Sequence, residues 1–157
     1  MITQSNIKNL LNYDPCIGVF RWIVGFRRIK PGEVAGTICD GYVRIKINGK
    51  SYLAHRLAFL YMTGNFPNIT DHINGIRSDN RFENLRDVSV AINRQNIRTH
   101  DADNKCSFLG VTNYKGKFRA TIKVNKKTKH LGLFATAKDA HAAYVLAKRE
   151  YHSGCTI

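Results

Sequence analysis

Residues 42–54 constrain the fold more than any other stretch. Residues 42–47 alternate apolar and polar side chains, Asn48-Gly49 is a two-residue type I′ turn signal, and residues 51–54 return. Such a pattern specifies an antiparallel hairpin with one face on a core. Val43, Ile45 and Ile47 are expected to face inward, and Tyr42, Arg44 and Lys46 outward. The outer row is either a solvated strand face or a basic, aromatic-bearing surface suited to a polyanion.

Helical text surrounds this hairpin, so the expected fold class is α+β. A short helix is expected over residues 6–12 and a strand over 18–24. Residues 55–63 read as a helix stopped by Gly64 at its C-cap. Residues 99–107 are polar and contain His100, which is read as an exposed linker histidine. From Phe108 the pattern becomes three strands and a helix. The expected organisation is a β-rich arm over 1–54, a core over 55–100, a linker over 101–107 and a C-terminal module over 108–157.

The chain carries 25 Lys and Arg against 11 Asp and Glu, a formal net charge of +14. A domain this basic is expected to meet a polyanion, because each phosphate contact releases counterions. The charge is uneven: residues 1–54 hold 8 basic and 3 acidic side chains, 55–100 hold 6 and 4, and 101–157 hold 11 and 4. The middle segment is nearly balanced between two basic flanks. No apolar run approaches the roughly 20 residues of a membrane span. The first residues lack the basic and apolar regions of a signal peptide. No membrane association and an intracellular, non-secreted location are therefore expected. Cys16, Cys39, Cys106 and Cys155 form no CxxC pair and are expected to be free thiols, not zinc ligands.

The central text reads Asp71-His72-Ile73-Asn74-Gly75, then Asn84-Leu85-Arg86, then Asn93-Arg94-Gln95-Asn96. Over residues 52–98 it resembles the HNH, or ββα-metal, nucleases. The resemblance implies two strands and a helix around one divalent metal ion, Mg²⁺ or Mn²⁺, one per active site. Phosphodiester hydrolysis needs an activated water, a stabilised phosphate charge and a stabilised leaving oxygen. A hard cation polarises the phosphate and prefers oxygen ligands while keeping several waters. One carboxylate and one amide oxygen therefore suffice from the protein, roles that Asp71 and Asn93 fit. His72 fits the general base, since a neutral imidazole can take a proton from water. Adjacent strand side chains point to opposite faces, so Asp71 and His72 can share a site only where the strand bends or ends. The turn signal at Asn74-Gly75 supplies that ending.

Ser89 is a suitable N-cap for the helix that follows. Spacing leaves both Asn93 and Asn96 open as the helical ligand; the resemblance favours Asn93. It also implies that Asn84 is structural support, tying its loop so that the base is held. Many members carry histidine where this chain has Asn93. That departure matches the phage homing branch and favours an oxygen ligand. A competing reading is a loop rich in Asx turns, though it leaves His72 unexplained. His55 opens a helix beside Arg56 and serves either phosphate contact, orientation of the site, or structure alone.

Residues 108–157 resemble the DNA-binding domain of plant ethylene-response factors, through Leu109-Gly110-Val111, residues 117–122, residues 131–134 and residues 137–144. The resemblance implies a three-stranded antiparallel sheet, packed on one helix and laid in a major groove. Period-2 reading agrees, with Phe118, Ala120, Ile122 and Val124 toward the helix and Arg119, Thr121 and Lys123 away from it. Thr136 can cap the helix. Lys115, Lys117, Lys126, Lys127, Lys129 and His130 are further candidate DNA contacts. Thr112, Tyr114, Thr121, Lys123 and His130 stand where the plant pattern has base-contacting arginines and tryptophans, so the plant target does not carry over.

Together these readings predict a site-specific homing-type endonuclease acting on double-stranded DNA. It is expected to be a monomer that nicks, with one metal centre per chain. The alternatives are a non-catalytic, sequence-specific DNA-binding regulator and a nuclease of structured RNA.

Overall fold

The computed structural model describes residues 2–25, 28–98 and 106–157. His100 and most of the expected linker lie outside the described residues. The chain forms two compact units, Met1–Ser89 and Val90–Ile157, each built from both helices and strands.

The first unit opens with helix α1 (Gln4–Leu10). Thr3 closes a capping box, its hydroxyl accepting from the Asn6 N–H while the Asn6 side chain accepts from the Thr3 N–H. The helix therefore begins earlier than the periodicity suggested. It ends where Leu11 turns extended and starts β1 (Leu11–Asp14), which pairs antiparallel with β2 (Val19–Trp22). Next come β3 (Thr37–Cys39), β4 (Tyr42–Ile47) and β5 (Lys50–Leu53), an antiparallel sheet in that order. Asn48 and Gly49 both take positive φ, 48° and 79°, as a type I′ turn demands.

Helix α2 (Ala54–Thr63) follows directly and stops at Gly64, whose φ is 80° and whose N–H reaches the Leu60 carbonyl at 3.0 Å. It buries Leu57, Ala58 and Leu60 against Ile7 of α1, Leu11 and Phe20 of the first hairpin, and Ile45 and Ile47 of β4. Residues on either side of position 54 thus share one core. Strands β6 (Ile69–His72) and β7 (Leu85–Val88) form a separate antiparallel pair, joined through a 3₁₀ turn at Phe82–Asn84.

The turn between β1 and β2 packs tightly on the loop that precedes β7. Gly18 has φ of 72°, and a Cβ there would stand 2.4 Å from the Arg81 nitrogen and the Asn80 carbonyl carbon. Nearby, the buried Tyr13 hydroxyl donates to the Asn80 carbonyl at 2.6 Å, and the Phe82 N–H to the Pro15 carbonyl at 3.0 Å. Other hairpin tips are open: a Cβ on Gly49 or Gly116 would meet nothing within 4 Å.

The second unit contains α3 (Val90–Gln95), β8 (Val111–Tyr114), β9 (Lys117–Val124), β10 (Lys127–Phe134) and α4 (Ala137–Tyr151). The three strands form an antiparallel sheet with β9 in the middle. Thr136 caps α4 by accepting from the Asp139 N–H at 3.1 Å. Ala140, Tyr144 and Ala147 of α4 are buried against the face bearing Ala120 and Ile122. The small alanines let the helix approach the sheet closely. All four cysteines are free thiols. Among the described residues no helix is long and apolar enough to cross a membrane.

Candidate functional site

Asp71 and His72 are the last two residues of β6, and both are buried, each 6% exposed. The strand stops there, with the Gly75 N–H returning to the His72 carbonyl at 2.9 Å. The loop that follows is held by Asn84. Its amide nitrogen donates to the Asp79 carbonyl at 2.8 Å, and its amide oxygen accepts from the Asn74 N–H at 2.9 Å. Its backbone carbonyl takes the Ile73 N–H at 2.8 Å. One buried side chain thereby fixes both ends of the 73–84 excursion. Asp79 adds a second brace, accepting from the Asn74 amide at 2.6 Å and the Arg81 guanidinium at 2.8 and 3.0 Å. The hydrogen bonds from Arg81 hold the Asp79 carboxyl at about 2.

Sequence reasoning gave no role to Arg86, which faces Asp71 directly in the antiparallel register. Its Nε and Nη2 both donate to Asp71 Oδ2, at 2.9 and 2.7 Å. A carboxylate offers about four lone-pair sites, so accepting both N–H groups leaves capacity for a cation. The register was available from a hairpin reading of the motif; the partnership was not, because arginine opposite aspartate is common on any sheet.

Asn80 was likewise missed. It is 2% exposed, and its Oδ1 lies 3.4 Å from His72 Nε2. The His72 ring meets the His55 ring edge-on, with centroids 5.0 Å apart. Tyr42 lies beside both, at 5.4 Å from His55 and 6.2 Å from His72, with the Arg77 guanidinium 5.2 Å over its ring. The expectation that Tyr42 faces outward with Arg44 and Lys46 is therefore corrected. Its end of β4 abuts the two imidazoles, while Arg44 and Lys46 are exposed on the same strand face. That face forms a basic row leading away from the histidines.

Both imidazoles are held neutral. Burial pulls His72 below the ordinary imidazole value, against the opposing pull of Asn80, Asp71 and Asp79. His55, 5% exposed, is taken down to about 4 by burial first, and then by His72 and Arg56. A neutral ring keeps one donor and one acceptor nitrogen, and the acceptor carries the lone pair that base catalysis needs.

In the second unit, Asn93 lies in α3 and is half-buried. Asn96 follows the helix and is 6% exposed, its Oδ1 accepting from the Thr156 hydroxyl. Asn96 therefore differs from Asn93 in burial and in this bond.

The sheet face away from α4 forms a shallow concavity of about 530 Å³, lined by Tyr114, Arg119, Thr121, Thr128, His130 and Leu133. The register places His130 opposite Thr121 and Leu133 opposite Arg119. A bulge at Leu131 restores the alternation between them. Arg119 lies 5.0 Å from the Tyr114 ring and its Nε donates to the Thr112 hydroxyl at 3.4 Å. Alternation along β9 puts Lys117 and Lys123 on this face, and Lys115 sits in the β8–β9 turn 5.7 Å from the Tyr114 ring.

Lys127 and Lys129, expected as phosphate contacts at a hairpin tip, lie at the start of β10 beside the β9–β10 turn. They pair with Val124 and Ile122, whose parity is the helix side. The Lys129 ammonium donates to the Tyr151 hydroxyl of α4 at 2.6 Å and lies 4.2 Å over its ring.

The buried Asp71 and His72 at the end of β6, followed by an asparagine-braced loop, coincide with a family comparison. A family model described as HNH endonuclease matches residues 52–95 of the 157. The match supports an HNH domain over this stretch, a class that points to nuclease activity on DNA and generally uses a divalent metal ion. No curated protein and no solved structure matches the chain.

Proposed function

We propose that the chain is a metal-dependent endonuclease hydrolysing phosphodiester bonds in double-stranded DNA, site-specific and of the homing type, nicking as a monomer. The observation that carries this reading is the pair Asp71 and His72, buried together at the end of β6 within the HNH match.

The donor set suits a hard cation. Asp71 offers a carboxylate and Asn93 an amide oxygen, both oxygen donors. A site of two protein oxygens leaves the remaining positions to water, which Mg²⁺ and Mn²⁺ accept and structural zinc does not. When bound, the cation would polarise the phosphate and steady the charge on the leaving oxygen.

The chain's own residues supply the rest. Neutral His72 takes a proton from water as the water oxygen attacks phosphorus. The P–O3′ bond breaks to leave a 5′-phosphate, and the departing O3′ takes a proton from solvent to become the 3′-hydroxyl. Neutral His55 packs the ring of His72 without adding a competing charge, and Arg86 balances Asp71. Asn84 keeps the loop after His72 from shifting. Arg44 and Lys46 run along the backbone near the site, and Lys115, Lys117, Arg119, Thr121, Lys123 and His130 hold DNA on the sheet face.

A pool of random-sequence duplexes, labelled on each strand and incubated with Mg²⁺ or Mn²⁺ and with an EDTA control, tests this. Metal-dependent cuts by the wild type, lost in His72→Ala with duplex binding retained, are expected. Duplex binding with no cut in either metal would instead leave a DNA-binding regulator.

A further inference from the structure

Helix α3 spans six residues, and none of its side chains within Val90–Gln95 is buried. A helix this short does not hold itself together in water and takes its stability from docking. The docking partners come from far along the chain. The Gly154 N–H donates to Gln95 Oε1 at 2.9 Å, and the Thr156 hydroxyl donates to Asn96 Oδ1. Arg98 reaches the Thr156 carbonyl at 2.9 Å and its hydroxyl at 2.6 Å.

Lys148 of α4 completes the clasp. It is 1% exposed, and its ammonium donates to the Ile97 carbonyl just beyond the C-terminal end of α3, 51 positions earlier in the chain. Lysine is almost never buried to this degree unless its charge is used. Carbonyls at a helix C-terminus lack partners within the helix and favour a cation. Gly154 lies so close that a Cβ there would stand 2.5 Å from the Ile92 carbonyl oxygen, one residue before Asn93.

We propose that Lys148 and the tail residues Gly154 and Thr156 are positioning residues for Asn93. They fasten the helix bearing the amide ligand to the sheet-and-helix module, so divalent-cation affinity depends on contacts made at the far end of the chain. The inference rests on the reading of Asn93 as a cation ligand.

Mn²⁺ binding to the full chain, followed by the electron paramagnetic resonance signal of the free ion, tests it, with binding of a random-sequence duplex in EDTA measured in parallel. Lys148→Met and Gly154→Ala are each expected to weaken Mn²⁺ about tenfold or more, the scale typical of groups that orient metal ligands. Their duplex affinity should stay within about twofold of wild type, because the outer sheet face is untouched. Leu146→Ala, on the 66% exposed face of α4, should change neither. Wild-type Mn²⁺ affinity in both clasp variants, with Asn93→Ala weakened, would overturn the positioning role and spare the ligand assignment. Unchanged binding in Asn93→Ala would overturn the ligand assignment itself. Parallel loss of Mn²⁺ and duplex binding in both clasp variants would show general collapse of the module, and would also overturn it.

Discussion

Tyr13→Phe removes one oxygen from the interior of the first unit and nothing else. The Tyr13 ring is stacked on Phe20 with centroids 4.5 Å apart, and phenylalanine keeps that contact. What is lost is the 2.6 Å hydrogen bond to the Asn80 carbonyl. A buried acceptor left without a donor costs about 1–2 kcal/mol. The unit holding it runs from Met1 to Ser89, a size at which each kcal/mol lowers Tm by about 4–8 °C. The expected fall is therefore about 5–15 °C. The only tryptophan, Trp22, is buried in the same core, so its fluorescence during thermal unfolding reports this unit selectively. A fall below about 2 °C would refute the claim that the arm is bonded to the loop beside His72. A fall of the expected size should bring a lower cleavage rate at saturating metal, because Asn80 also contacts His72.

Gly18→Ala should destabilise the same unit by about 2–5 kcal/mol through left-handed strain and overpacking against Asn80 and Arg81; wild-type stability in urea titration would contradict the close approach. Asp79 has a depressed folded-state pKa, so its contribution is fully present above the ordinary carboxyl value of 3.8 and fades as pH falls through about 2. Asp79→Asn should flatten that part of the acid-unfolding curve, and an unchanged curve would count against the Arg81 brace. Lys123→Ala should weaken duplex binding and reduce the slope of log affinity against log salt by about 1, whereas Lys129→Ala should leave the slope in place. Equal effects from the two would mean that DNA does not distinguish the two faces of the sheet.

The sequence made some of this legible because it was local. The Asn48-Gly49 turn, the Gly64 stop and the Thr136 cap each rest on residues whose chemistry dictates a backbone state within a few positions. Asp71, His72 and Asn84 were legible as a pattern, and β6 ends at His72, just before the Asn74-Gly75 turn signal. Contacts between distant segments were not legible. Nothing in Tyr13 signals that its hydroxyl meets Asn80, 67 positions away. Nothing in Asn96 signals a bond to Thr156, whereas spacing alone made it look like Asn93. Lys127 and Lys129 are a different case: period-2 alternation puts them on the face away from His130, while their place near a hairpin tip makes them candidate phosphate contacts.

The contrast between crowded and open turns bears on how such a chain can be altered. Lengthening the bend at Gly18 would wedge apart the arm and the loop it grips, so that bend is closed to insertion. The tips at Gly49 and Gly116 border empty space, and each ends a strand pair carrying exposed cations. Extra residues there would extend the reach of the protein along a duplex while leaving its interior alone. If the chain is the site-specific nuclease proposed above, loops grafted at these two points should alter its DNA contacts without disturbing its core.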